Sequence, residues 1–172
     1  MQKEKRRRPR LEAFSYQGPF AYSVTLCTHR KIRAFISDTV VSRILEILME
    51  RAYQQGFSLL AYCFMPDHLH LLILGKEETA DLRDLIRTFK QKAGYWYRQT
   101  YKVSLWQPSY YDHVLRREEG VKAAARYIVE NPIRSGLVEN VEDYPYSGSA
   151  ILGMEGPAPL KGGLSSYPIG QD

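Results

Sequence analysis

The sequence predicts an α+β domain, an antiparallel sheet with helices against both faces, and three observations carry that prediction. Apolar periodicity changes along the chain between strand-like and helix-like spacing, in the order strand, helix, strand, strand, helix, strand, helix. Residues 58–65 and 68–74 are apolar at almost every position, as suits strands covered on both sides. Only Pro66-Asp67 separates these two segments, so a tight turn joins them and they pair antiparallel. The order matches a ferredoxin-like or RRM-like unit with an added C-terminal helix.

Each element has its own justification. The segment from Phe20 to Leu26 alternates imperfectly and reads as the first strand. Ser37 or Asp38 can cap a helix whose apolar positions are Val41, Ile44, Leu45, Leu48 and Ala52. Gly56 ends it, because glycine enters the left-handed region freely. The paired strands follow, then a long helix over about 79–99 with Leu82, Leu85, Ile86, Phe89, Ala93 and Trp96 on one face. A short strand near 110–115 precedes a helix over about 118–131. Asn131-Pro132 is expected to stop that helix, since a residue before proline avoids helical angles.

At 172 residues the chain suits one domain with a real core, and its 44% hydrophobic and 25% charged content is that of an ordinary globular protein. No apolar run approaches the roughly 18 residues of a membrane span, and no apolar stretch follows the basic N-terminus as in a secretory signal. Cys27 and Cys63 lie in apolar strands without Cys-x-x-Cys spacing and read as reduced core residues of a cytoplasmic protein. The expected organisation is a basic flexible arm over 1–14, a globular domain over 15–150 and an irregular tail over 151–172. The net charge of +5 and the six cations among the first ten residues, Lys3, Lys5, Arg6, Arg7, Arg8 and Arg10, admit two readings. One is a solvated tail; the other is an arm that lies along phosphates.

The chemistry centres on Pro66-Asp67-His68-Leu69-His70. Residues two apart on a strand project from the same face, so His68 and His70 point together. A lone imidazole in an apolar strand is most simply a hydrogen-bonded core residue. Two side by side favour a shared metal ion. Of the other histidines, His29 sits in a loop and reads as solvated, whereas His113 adjoins Asp112 and can orient a ligand, meet phosphate or form a surface pair. On the last helix Tyr127 and Asn131 are four apart, at the edge of a stripe formed by Val121, Ala125 and Ile128. Packing explains the tyrosine and helix termination explains the asparagine equally well at this point.

Several strings together resemble the single-tyrosine HUH transposases, and among them the REP-associated tyrosine transposases. They are Met65-Pro66-Asp67-His68-Leu69-His70, Trp106-Gln107-Pro108, Tyr111-Asp112-His113-Val114-Leu115-Arg116, and the run from Tyr127 through Asn131-Pro132 to Gly136-Leu137-Val138, followed by Asp143-Tyr144-Pro145. The resemblance spans about residues 15–150. It implies the HUH endonuclease fold and a metal-dependent transposase that cleaves single-stranded DNA at hairpin-associated sites through a 5′-phosphotyrosine. In that reading His68, His70 and Asn131 bind Mg²⁺ or Mn²⁺, and Tyr127 is the nucleophile.

The partners implied are single-stranded REP-like DNA hairpins, bound by a monomer or homodimer. Candidate DNA contacts are Lys5, Arg6, Arg7, Arg8, Arg83, Arg87, Lys90, Arg98, His113 and Arg116, with Tyr95, Tyr97 and Tyr101 as stacking platforms. The alternative for the basic flank of the long helix is simple solvation. Two competing functions are a replication initiator or relaxase-like nickase, and a non-catalytic RRM-like nucleic-acid-binding module. The second leaves the histidine pair unexplained.

Overall fold

The computed structural model describes residues 14–115 and 118–156. Their elements run β1 (Ala21–Cys27), α1 (Asp38–Gln54), β2 (Phe57–Met65), β3 (His68–Gly75), α2 (Leu82–Tyr101), β4 (Tyr111–Leu115), α3 (Glu118–Val129), α4 (Asn131–Arg134) and β5 (Ser147–Ser149). The strands form one antiparallel sheet in the order β4-β1-β3-β2-β5. The α+β expectation is therefore met, with β3 at the centre.

Strand alternation assigns each face its cover. Tyr22, Val24 and Leu26 of β1 and Leu69, Leu71 and Ile73 of β3 enter the main core with α1 and α2. Each such buried side chain contributes roughly 1.5–3 kcal/mol relative to exposure. Ala61, Cys63, Met65 and Leu72 face the other way and pack with Ala125 and Ile128 of α3. A register shift between Leu59 and Ala61 changes which β2 side chains meet which core.

Helix α1 follows its sequence signals. The Ser37 hydroxyl accepts from the Val40 amide at 3.4 Å, all five expected apolar positions are buried, and Gly56 follows the helix at φ 71°. Helix α2 begins at Leu82 rather than near 79, because the Asp81 carboxylate accepts from the amides of Arg83 and Asp84 and so fixes the first turn. Its buried stripe ends on Tyr97, with Trp96 only partly buried against the core. This corrects the expectation that Tyr97 is a free stacking platform, whereas Tyr95 and Tyr101 are exposed.

Asn131-Pro132 breaks the last helix without stopping it. Helix α3 ends at Val129, and helical backbone resumes as the single turn of α4. Pro132 has no N–H to offer the Ile128 carbonyl. The Asn131 side-chain amide donates there instead at 3.2 Å, and to the Tyr127 carbonyl at 3.1 Å. This stitching accounts for a resumed helix where a stop was expected.

Two further features lie outside the sequence expectation. The strand β5 was not anticipated, and it pairs with β2. Phe14, assigned to the arm, packs edge-on against Tyr16 and Phe20, while Ile151 and Leu152, assigned to the tail, pack against the α3 core.

Candidate functional site

The register of the sheet sets the site. Thr25 lies opposite His70 and Cys27 opposite His68, while Tyr111 lies opposite Thr25 and His113 opposite Ser23. Directly paired residues share a face, so these side chains and the histidine pair all project on the α3 side. That face has two halves. Over β2 and β3 it is apolar and covered by α3; over β1 and β4 it carries Ser23, Thr25, Cys27, Tyr111 and His113, partly buried or exposed. The histidines stand where the two halves meet.

Each imidazole is fixed through its Nδ1. His68 Nδ1 donates to the Asp67 carboxylate at 2.6 Å, and His70 Nδ1 lies 3.0 Å from the Thr25 hydroxyl. The Nε2 atoms then face each other at 3.1 Å. Two ring nitrogens at this distance are satisfied either by one Nε2–H donating to the other or, when both Nδ1 atoms carry the hydrogen, by a cation between them. Neighbouring ligands of an octahedral ion with bonds of about 2.1 Å lie about 3.0 Å apart, so the pair can hold such an ion.

The electrostatics agree with a neutral His70 ring. Burial, with smaller effects from His68 and Arg134, lowers the His70 pKa to about 4, so its ring is uncharged at neutral pH. Burial pushes the Asp67 carboxyl up, but its bond to His68, the His68 charge and Lys31 at 3.7 Å outweigh this and hold it below its usual range. Burial raises the Cys27 thiol, with Lys31 opposing, and lifts Cys63 to about 12.

Among the described residues, no group of three His, Cys, Asp or Glu side chains comes together as a metal cluster. A third ligand from the described residues would have to be of another type. Asn131 turns its amide nitrogen onto helix carbonyls, which leaves its oxygen as the atom it can present. Tyr127, on the outward rim of α3, is 58% exposed. The guanidinium of Arg134 lies 3.9 Å from its ring centroid. Among the described residues no hydrogen bond joins Tyr127 or Asn131 to the histidines.

The other predicted contacts separate. Arg83, Arg87 and Lys90 belong to α2, which packs on the opposite face from the histidines, and line a cavity of about 320 Å³ with Ile86, Pro108 and Tyr110. Arg83 stacks near Tyr16, and Arg87 pairs with Asp84. Lys90 Nζ donates to the carbonyls of Gln107 and Pro108 at 2.6 and 3.0 Å, which ties the segment before β4 to α2. Arg98 is exposed on the last part of the same helix. His113 is exposed on the histidine face. Lys5, Arg6, Arg7, Arg8 and Arg116 lie outside the described residues. Sequence reasoning missed Thr25 and Arg134. Thr25 becomes visible only through cross-strand register, and Arg134 only through the resumed helix.

Comparison with known proteins agrees with this architecture. Residues 18–131 match the family model described as transposase IS200 like. A Haemophilus influenzae protein bearing a provisional REP-associated tyrosine transposase name is 26% identical over 142 residues, covering 73% of this chain and 77% of the relative. The Escherichia coli REP-associated tyrosine transposase is 24% identical over 134 residues, covering 76% and 75%. A solved structure of a REP-associated tyrosine transposase bound to a REP hairpin superposes with a TM-score of 0.67 at 19% identity, covering 100% of this chain and 98% of that one. That likeness establishes the shared fold. Among the described residues, no helix is long and apolar enough to cross a membrane.

Proposed function

The chain belongs to the IS200-like transposase family, and from that premise we propose that it is a single-stranded DNA endonuclease and strand transferase. Its substrate is a site beside a REP-like hairpin, and its intermediate is a 5′-phosphotyrosine. The observation that carries the reading is the histidine pair. Two Nε2 atoms 3.1 Å apart, each ring held from behind, form a ready ligand set on the face that α3 partly covers.

His68 and His70 would hold a divalent ion, Mg²⁺ or Mn²⁺, with the Asn131 oxygen as third ligand. Bound there, such an ion would supply positive charge at the scissile phosphate. The chain's own residues carry the rest. Tyr127 Oη attacks phosphorus, the Oη–P bond forms and the P–O3′ bond breaks. The phenolic proton passes to solvent, and the departing 3′-oxygen takes up a proton. A second strand's 3′-hydroxyl can reverse these steps at the phosphotyrosine and be joined, because one phosphodiester is exchanged for another.

Tyr127 is preferred among 13 tyrosines because it lies one turn before Asn131 and its ring is exposed, so its hydroxyl is open to a substrate. The test uses the full chain, a labelled hairpin with single-stranded flank, and Mg²⁺. A denaturant-resistant adduct is expected, with the phosphate mapped to the Tyr127 peptide. Tyr127→Phe should bind the hairpin with unchanged affinity and form no adduct. An adduct on Tyr111, or cleavage by Tyr127→Phe, sinks the assignment.

A further inference from the structure

We infer that Arg134 is a positioning residue for the nucleophile: its guanidinium, lying over the Tyr127 ring, fixes the direction in which the phenol is presented to the scissile phosphate. The inference rests on the reading of Tyr127 given above and adds the group that holds it.

Tyr127 sits on the rim of α3 rather than in its packed stripe, so the core does not immobilise its ring. Among the described residues no hydrogen bond to its hydroxyl and no second aromatic ring restrains it. The restraint that exists is Arg134, 3.9 Å from the ring centroid. Arg134 is itself anchored twice. It donates to the Tyr127 carbonyl, and it pairs with the Glu130 carboxylate at 3.4 Å. A guanidinium can stack flat and hydrogen-bond through its edge at once, which an ammonium cannot do.

The backbone explains how the contact arises. Side chains lean toward the N-terminus of their helix, so a residue of α4 reaches back over the end of α3. The resumed turn after Glu130 brings Arg134 within that reach, and the Asn131 bridge to the Tyr127 and Ile128 carbonyls keeps the two helical pieces in line. Helix α4 also meets β2, the strand paired with the histidine strand β3.

Single-turnover adduct formation at saturating hairpin, with hairpin affinity and thermal midpoint measured alongside, tests this. Misplacement of a reacting group by about 1 Å costs on the order of a hundredfold, so Arg134→Ala should slow adduct formation by about ten- to a hundredfold. Its hairpin affinity should stay within about twofold, since the residue acts through Tyr127 and not on DNA. Arg134→Lys keeps the charge but not the planar stack, and should remain slow; it decides the matter if the alanine variant does not fold. A wild-type rate in Arg134→Ala, or full recovery in Arg134→Lys, overturns the inference. So does a loss confined to hairpin affinity, which would make Arg134 a DNA contact. If wild-type protein forms no adduct, the nucleophile assignment fails as well, and that outcome is distinct from a wild-type adduct that Arg134 leaves untouched.

Discussion

An imidazole serves as a ligand only when the correct nitrogen carries the lone pair, and a partner at the other nitrogen can make that choice. Asp67 takes the Nδ1 hydrogen of His68, and Thr25 stands at the Nδ1 of His70. Thr25→Val replaces the hydroxyl by a methyl of similar size on a β-branched frame, so β1 should keep its pairing. The His70 ring then loses its anchor. Loss of such an outer partner typically costs about 10- to 100-fold in metal affinity or activity. We therefore expect Thr25→Val to raise the Mn²⁺ concentration needed for half-maximal adduct formation by that range; an unchanged midpoint would falsify the role given to Thr25. The juxtaposition of the two histidines was legible in the sequence because strand geometry alone puts positions 68 and 70 on one side. Thr25, the partner of His70, was not, since it lies 45 positions away and only the β1–β3 register brings it near.

At the scale of elements, β5 shows how a strand can escape sequence reading. Ser147-Gly148-Ser149 is too short for a period and contains no apolar residue. Its pairing depends on Gly148, where an added Cβ would come 2.8 Å from the Tyr62 hydroxyl and 2.9 Å from the ring carbon bearing it. Tyr62 is buried in the main core and has little freedom to retreat. Gly148→Ala should destabilise the fold by roughly 1–3 kcal/mol, the range for overpacking a close-packed site, and thermal denaturation will register it. A melting temperature equal to that of the wild type would mean that Tyr62 moves aside freely. Helix α1 was legible from end to end because cap, stripe and terminating glycine all agree. The α3–α4 junction was only half legible. Proline marks the break, but the repair by the Asn131 amide depends on a side-chain rotamer that sequence does not specify.

For the molecule as a whole, charge is the relevant variable. The net +5 includes six cations within the first ten residues, beyond the described part of the chain. If those cations meet phosphates, hairpin binding must weaken steeply as salt rises, because each neutralised phosphate releases condensed counterions. Deleting residues 2–10 should flatten the plot of log affinity against log salt while leaving the cleavage position unchanged. An identical slope would reduce the arm to a solvated tail. The overall fold was legible because element order and the two fully apolar strands leave few topologies open.

The strand order has one more consequence, for how the molecule comes apart. β3 has a neighbour on each edge and a packed layer on each face, so its amides should exchange with solvent only when the entire domain opens. The histidines are fastened to the segment that lets go last. Tyr127 rides on α3, held by the smaller of the two apolar clusters, so the amides of α3 should exchange before those of β3. The histidine pair and Tyr127 therefore sit on elements of different local stability, and Asn131, bonded to the Tyr127 carbonyl, moves with the tyrosine.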